Sequence, residues 1–130
     1  MSRVRIPSPA PLLALLAAAL IVPASVAAKD GDVIRRGSCS AGSTWKLKLS
    51  PEDGRIEVEV EVDSNRSGHL WSVRPRQNGV RFFKADRTTK PPSRSFEVER
   101  LRPNAQGPDS FVGRAINYRH GEVCRGSATF

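Results

Sequence analysis

The sequence predicts an all-β protein folded as a two-layer sandwich, and three observations carry that reading. The stretch Ser43–Val62 alternates strictly between apolar and polar residues in two arms. The rest of the chain after residue 28 breaks into short alternating runs separated by Gly, Pro, Asn and Ser clusters, with no helical period. Two cysteines, Cys39 and Cys124, fall in the first and last of these runs. Period-two alternation marks a strand with one buried and one wet face, and many short strands with regular turn signals mark a sandwich or barrel.

The first 28 residues stand apart. Met-Ser-Arg-Val-Arg precedes an apolar run from Ala10 to Val22 and small residues up to Ala28. A basic start, a short apolar core and a small-x-small exit describe a secretory signal peptide cleaved near Ala28. The run is shorter than the roughly 20 residues that span a bilayer. Residues 29–130 form one domain of about 100 residues, enough for a single core.

Val33–Ser40 reads as the first strand. In the central hairpin, Trp45, Leu47 and Leu49 oppose Lys46 and Lys48, and Ile56, Val58, Val60 and Val62 oppose Glu57, Glu59 and Glu61. A four-residue turn pairing Ser50 with Arg55 sets Leu49 against Ile56, Lys48 against Glu57 and Lys46 against Glu59, so packing and charge agree. Asp63–Gly68 is a turn cluster. His69–Arg76 and Val80–Ala85 form a second hairpin around Asn78-Gly79. A three-residue loop there sets Val73 against Phe83 and Trp71 against Ala85, keeping Lys84 wet. Arg87–Arg94, with Pro91-Pro92, is a loop, because consecutive prolines cannot donate to a ladder. Ser95–Leu101 alternates with Phe96 and Val98 inward. After a loop over Arg102–Asp109, Ser110–Tyr118 and Glu122–Phe130 close a last hairpin, with Arg119 paired to Glu122 and Cys124 opposite Asn117. Seven or eight such strands indicate an immunoglobulin-like β-sandwich.

An even pair of cysteines in an exported chain reads as a disulfide, here Cys39–Cys124. No CxxC spacing or nearby ligand set points to redox or metal chemistry. Arg3 and Arg5 leave with the signal, so 19 basic residues of the original 21 face 13 acidic ones and the net charge is +6. That balance favours anionic partners such as a cell-wall or other acidic polymer.

Gly37-Ser38-Cys39, Gly42-Ser43-Thr44-Trp45-Lys46-Leu47-Lys48, Asp63-Ser64-Asn65-Arg66 with Trp71-Ser72-Val73, and Gly121-Glu122-Val123-Cys124 together resemble a group of small secreted proteins from high-GC Gram-positive bacteria. The resemblance covers most of the chain after the signal and implies an exported one-disulfide domain. It implies no activity, substrate or catalytic residue.

No nucleophile elbow, zinc-protease, phosphate-loop or dinucleotide motif is present. His69 and His120 are the only histidines. A Ser/His/Asp set drawn from His69, Asp63 and a serine has no motif behind it, and His120 sits in a turn. Asp63-x-Asn65-x-Ser67-Gly68 imitates half a calcium loop, but Arg74 stands where the bidentate carboxylate belongs. The expectation is therefore a non-catalytic protein without cofactor or metal.

The strongest binding candidate is the outward face of the second hairpin. There Arg74, Arg76, Phe82 and Lys84 set an exposed aromatic among cations, suited to sugar rings or bases with charges on phosphate or carboxylate. The functional expectation is an extracellular binding module for an anionic polymer or a protein. The alternative is an inhibitor of an extracellular protease or other hydrolase that presents Lys90 in an extended Arg87–Arg94 loop.

Overall fold

The computed structural model describes residues 30–130. The signal peptide read over residues 1–28 lies outside them. Among the described residues every regular element is a strand, and no helix is long and apolar enough to cross a membrane.

Four strands form the first sheet, β1 (Val33–Ser38), β2 (Thr44–Glu52), β3 (Arg55–Asp63) and β8 (Ser95–Pro103), in the order β1-β2-β3-β8. The second sheet contains β4 (Leu70–Val73), β5 (Arg76–Gln77), β6 (Val80–Arg81), β7 (Ala85–Thr88), β9 (Ser110–Asn117) and β10 (Val123–Thr129). Strands β4 and β5 are two halves of one line interrupted at Arg74-Pro75, and both pair with β9, which takes β10 on its other edge. Their partners β7 and β6 are likewise two halves of one line. Counted so, the ten segments make eight strands in two antiparallel layers, the sandwich that the alternation predicts.

Three registers differ from expectation, each for a local reason. In the first hairpin the turn is Asp53-Gly54, with φ of 49° and 79°. Two consecutive positive φ values match the right-handed twist of the flanking strands, and Asp-Gly supplies them at low cost. Glu52 therefore pairs with Arg55, Leu49 with Val58 and Lys48 with Glu59. The expected four-residue turn is replaced and the ladder slides by two. Inward residues stay inward because the side-chain period is two.

In the second hairpin Asn78-Gly79 also makes a two-residue turn, with φ of 49° and 83°. Arg76 opposes Arg81, yet Val73 opposes Ala85. Phe82-Phe83-Lys84 thus face only Arg74-Pro75, which is one extra residue and so a bulge. Pro75 cannot donate to the ladder; its carbonyl accepts from the Phe82 amide at 3.2 Å. The bulge keeps Lys84 exposed, as the expected three-residue loop would have done, but it reverses Phe82.

In the last hairpin Cys124 pairs with Ala115, Gly126 with Gly113 and Ala128 with Phe111. The turn is longer than expected because Asn117 closes it. Its Oδ1 accepts from the amides of Arg119 at 2.7 Å and His120 at 3.4 Å, and its backbone bonds Glu122 and Gly121 at 2.8 Å each.

The core joins Leu47, Leu49, Ile56, Val58, Val60 and Val62 with Trp71, Val73, Phe96, Val98, Phe111 and Ala115. Each large apolar side chain so buried contributes about 1.5–3 kcal/mol relative to exposure. Trp45 lies between the layers. A Cβ added to Gly37 would fall 2.6 Å from its indole, and one added to Gly126 closer still. The disulfide Cys39–Cys124 ties the end of β1 to β10 across an 85-residue separation, joining one edge of each sheet. Beside it the Ser40 amide donates to the Val123 carbonyl at 2.9 Å, and the Val123 amide returns a bond to Ser40 Oγ at 2.9 Å.

Two outcomes are expected. Gly126→Ala should lower stability by about 1–3 kcal/mol, because the indole or the strand must shift to admit the methyl group; an unchanged urea midpoint would contradict this. Replacing both cysteines by alanine should cost about 4–5 kcal/mol in the chain-entropy model for a ring of this length, read from the same denaturation curves.

Candidate functional site

The candidate site is the outer face of the second sheet. Its orientation follows from the residues that do not face out. Phe111, Gly113, Ala115 and Asn117 of β9 are buried, as are Cys124, Gly126 and Ala128 of β10. A Cβ on Gly113 would touch Val60 and Leu47 of the opposite sheet, which fixes that side as inward. Val112, Arg114 and Ile116 of β9 and Val123, Arg125 and Ser127 of β10 therefore face out.

Two adjacent rows cross this face. In one, Arg125 pairs with Arg114, whose carbonyl accepts from the Arg74 amide at 2.8 Å. In the next, Ser127 pairs with Val112, Val112 with Arg76, and Arg76 with Arg81. Five arginines, Arg74, Arg76, Arg81, Arg114 and Arg125, thus share neighbouring positions. Among the described residues no ion pair joins any of them to a carboxylate. Arg74 Nε donates to Ser72 Oγ at 3.0 Å, and Arg76 donates to the Gly79 carbonyl at 3.1 Å. Like charges directly opposite each other in a sheet are destabilising, and this face has two such pairs.

The next row holds Val123, Ile116, Ser72 and Asp86. Asp86 Oδ1 accepts from the Tyr118 hydroxyl at 3.0 Å. Tyr118 is 52 % exposed and Leu70 43 % exposed, and the Tyr118 amide bonds the Leu70 carbonyl at 2.9 Å. The exposed aromatic on this face is thus Tyr118, one row beyond Ser72 and Asp86.

Phe82 is not that aromatic. The bulge turns it onto buried Phe111, edge to face at 6.3 Å, and Arg102 covers its other side at 4.4 Å. Phe83 is covered by Arg100 at 3.6 Å. Both phenylalanines are half-buried and seal the edge between β8 and the second sheet. Of the expected set, Arg74 and Arg76 lie on the arginine face, Lys84 is exposed in the bulge, and Phe82 belongs to the core. Arg81, Arg114 and Arg125 were missed. The outward parity of Arg114 and Arg125 is readable in the sequence, whereas the expected register turns Arg81 inward, and that strands β9 and β4 are neighbours is not readable.

The outer face of the first sheet has the opposite sign. Glu61 opposes Glu97, Glu59 opposes Glu99, and Glu57 lies on the same face. Lys46 Nζ reaches Glu59 at 2.8 Å and Glu61 at 3.8 Å. Burial, followed by a hydrogen bond to Glu99 and the charges of Glu59, Glu99 and Glu61, pushes Glu97 up to about 7. Glu59, Glu97 and Glu99 bring carboxylate oxygens within 4.8 Å of one another.

The loop Arg87–Arg94 is not extended. Arg87 and Thr88 belong to β7, and the Arg94 amide donates to the Lys90 carbonyl at 2.7 Å, so Lys90–Arg94 is a tight turn. Thr89 is buried; its hydroxyl donates to the Arg66 carbonyl at 2.6 Å. Asp63 and Asn65, the first two positions of the calcium-like stretch, line different hollows. Nor is a Ser/His/Asp set assembled: the ring nitrogens of His69 meet Asn117 and Arg119.

Comparison with protein-family models gives no match, and comparison with curated proteins gives none either.

The glutamate face carries a pH dependence. The folded state holds the Glu97 proton up to about pH 7, whereas the ordinary carboxyl value is 4.5. Between those values the folded state binds more protons than the unfolded, so this group's contribution to stability falls as the pH rises through the window. Glu97→Gln should therefore raise the melting temperature at pH 8 more than at pH 5. Equal changes at both pH values would refute the raised Glu97 value.

Proposed function

We propose that this chain is an exported, non-catalytic binding module that holds an anionic polymer on the arginine face of its second sheet. One observation carries the reading. Arg74, Arg76, Arg81, Arg114 and Arg125 occupy two adjacent rows with no carboxylate partner among the described residues. Such a cluster costs folding energy and is relieved when an external anion neutralises it. Arginine is also the cation suited to planar, paired recognition of carboxylate and phosphate groups. A polymer answers the arrangement better than a point ion, because the guanidinium groups spread over four strand lines rather than converge.

Exposed Tyr118 and Leu70 lie one row beyond Ser72 and Asp86 and add apolar area to the same face for a sugar ring or base. Export is supported by the basic-then-apolar amino terminus and by a disulfide that suits an oxidising compartment. The resemblance to small secreted bacterial proteins supports the same compartment.

Binding to an immobilised acidic polysaccharide tests the reading. The wild-type chain should be retained and released by salt. Arg114→Gln with Arg125→Gln should lower the slope of log affinity against log salt by about 2, one for each cation removed. Retention that the double variant leaves untouched would overturn the assignment of the face.

A further inference from the structure

A second polar cluster lies at the end of the sandwich, where the turns after β3 and β9 meet. His69 is 5 % exposed. Its Nδ1 lies 3.1 Å from Asn117 Nδ2 and its Nε2 lies 3.3 Å from a terminal nitrogen of Arg119. The orientation of the Asn117 amide is fixed, because its Oδ1 accepts from the amides of Arg119 and His120. Asn117 therefore presents its NH2 to His69, and Nδ1 must be the acceptor. A neutral imidazole then carries its proton on Nε2, where the nearest group is the guanidinium of Arg119, another donor. Two donors face each other, and no acceptor among the described residues answers the Nε2–H of this buried ring. Buried donors are ordinarily satisfied, so an orphan of this kind calls for a partner.

Two arginines, Arg119 and Arg66, act on the ring. The His120 ring stands edge-on to His69 at 5.5 Å. Burial and the charges of Arg119, His120 and Arg66 hold His69 below the usual imidazole range. Beside them is a hollow of about 400 Å³ lined by Ser43, Ser64, Asn65, Arg66, His120 and Glu122. The one carboxylate there is already engaged. Glu122 Oε2 accepts from the amides of Ala41 and Ser43 at 2.8 Å each, and Oε1 from Ser43 Oγ at 2.7 Å.

We propose that this end of the sandwich is a site for a phosphate group, one oxygen accepting from both His69 Nε2–H and Arg119, with Arg66 supplying further positive charge. A phosphate supplies what the geometry lacks: several acceptor oxygens on one small anion. The group is either a free ion or one carried on a chain. The site does not rest on the arginine face, from which it differs in every residue.

The test follows the ring signals of His69 by nitrogen-resolved NMR at pH 7 while inorganic phosphate is added at constant ionic strength, with chloride as the control. A second series uses long-chain polyphosphate. Saturable movement of the His69 signals, with a rise in the pH at which His69 titrates, is expected from at least one probe. The response to inorganic phosphate identifies a free-ion site; a response to polyphosphate alone identifies a chain-borne group. Arg119→Gln alters an exposed side chain and should weaken the effect about tenfold, the loss of one charge-assisted hydrogen bond. Arg114→Gln with Arg125→Gln should leave the His69 response unchanged, which separates this site from the polymer face. No response to either probe, a response equal to that in chloride, or full retention in Arg119→Gln would each overturn the proposal.

Discussion

The fit of one indole between two glycines governs much of this fold. Trp45 rises from β2 into the seam between the sheets, and only residues without a Cβ fit against it at Gly37 on β1 and Gly126 on β10. Packing this tight admits one arrangement, because interiors have crystal-like density and little room to yield. With Gly126 held inward, Cys124 and Ala128 must also point inward, since they share its parity. Cys124 is thereby placed for Cys39, and Arg125 is forced outward opposite Arg114. A contact in the core thus decides which cations the surface displays.

How much of this was legible in the sequence differs from residue to residue. The inward sets of β2, β3, β8, β9 and β10 were readable because alternation reports parity directly. Their pairing was not, because a period of two is unchanged by a slide of two residues; the first and last hairpins each slid by that amount. What decided the slides was turn chemistry. Asp53-Gly54 adopts two positive φ values, and the side chain of Asn117 bonds the turn amides. Parity itself failed at one place. The bulge opposite Pro75 moved Phe82 from the expected outer face to the Phe111 edge, and an exposed Tyr118 supplies the aromatic instead. Arg114 and Arg125 could be assigned outward from the pattern of β9 and β10. Their neighbourhood with Arg74 depends on a long-range pairing that no local pattern encodes.

The two outer faces carry opposite charge, and the sequence spreads that contrast so evenly that composition hides it. Glutamates of β3 and β8 crowd the first sheet until one of them keeps a proton near neutral pH. Arg74 at the break between β4 and β5 and arginines of β5, β6, β9 and β10 crowd the second. The net charge describes neither face.

The disulfide has a mechanical meaning as well. Cys39 follows β1 and Cys124 lies near the start of β10, so the bridge encloses the chain from Ser40 to Val123 in a covalent ring. Tension applied to the chain outside the two cysteines passes from sulfur to sulfur and never reaches that ring. The central hairpin, the rows of β4 to β7 and most of the core are shielded from load. Only β1 and the remainder of β10 can be peeled away.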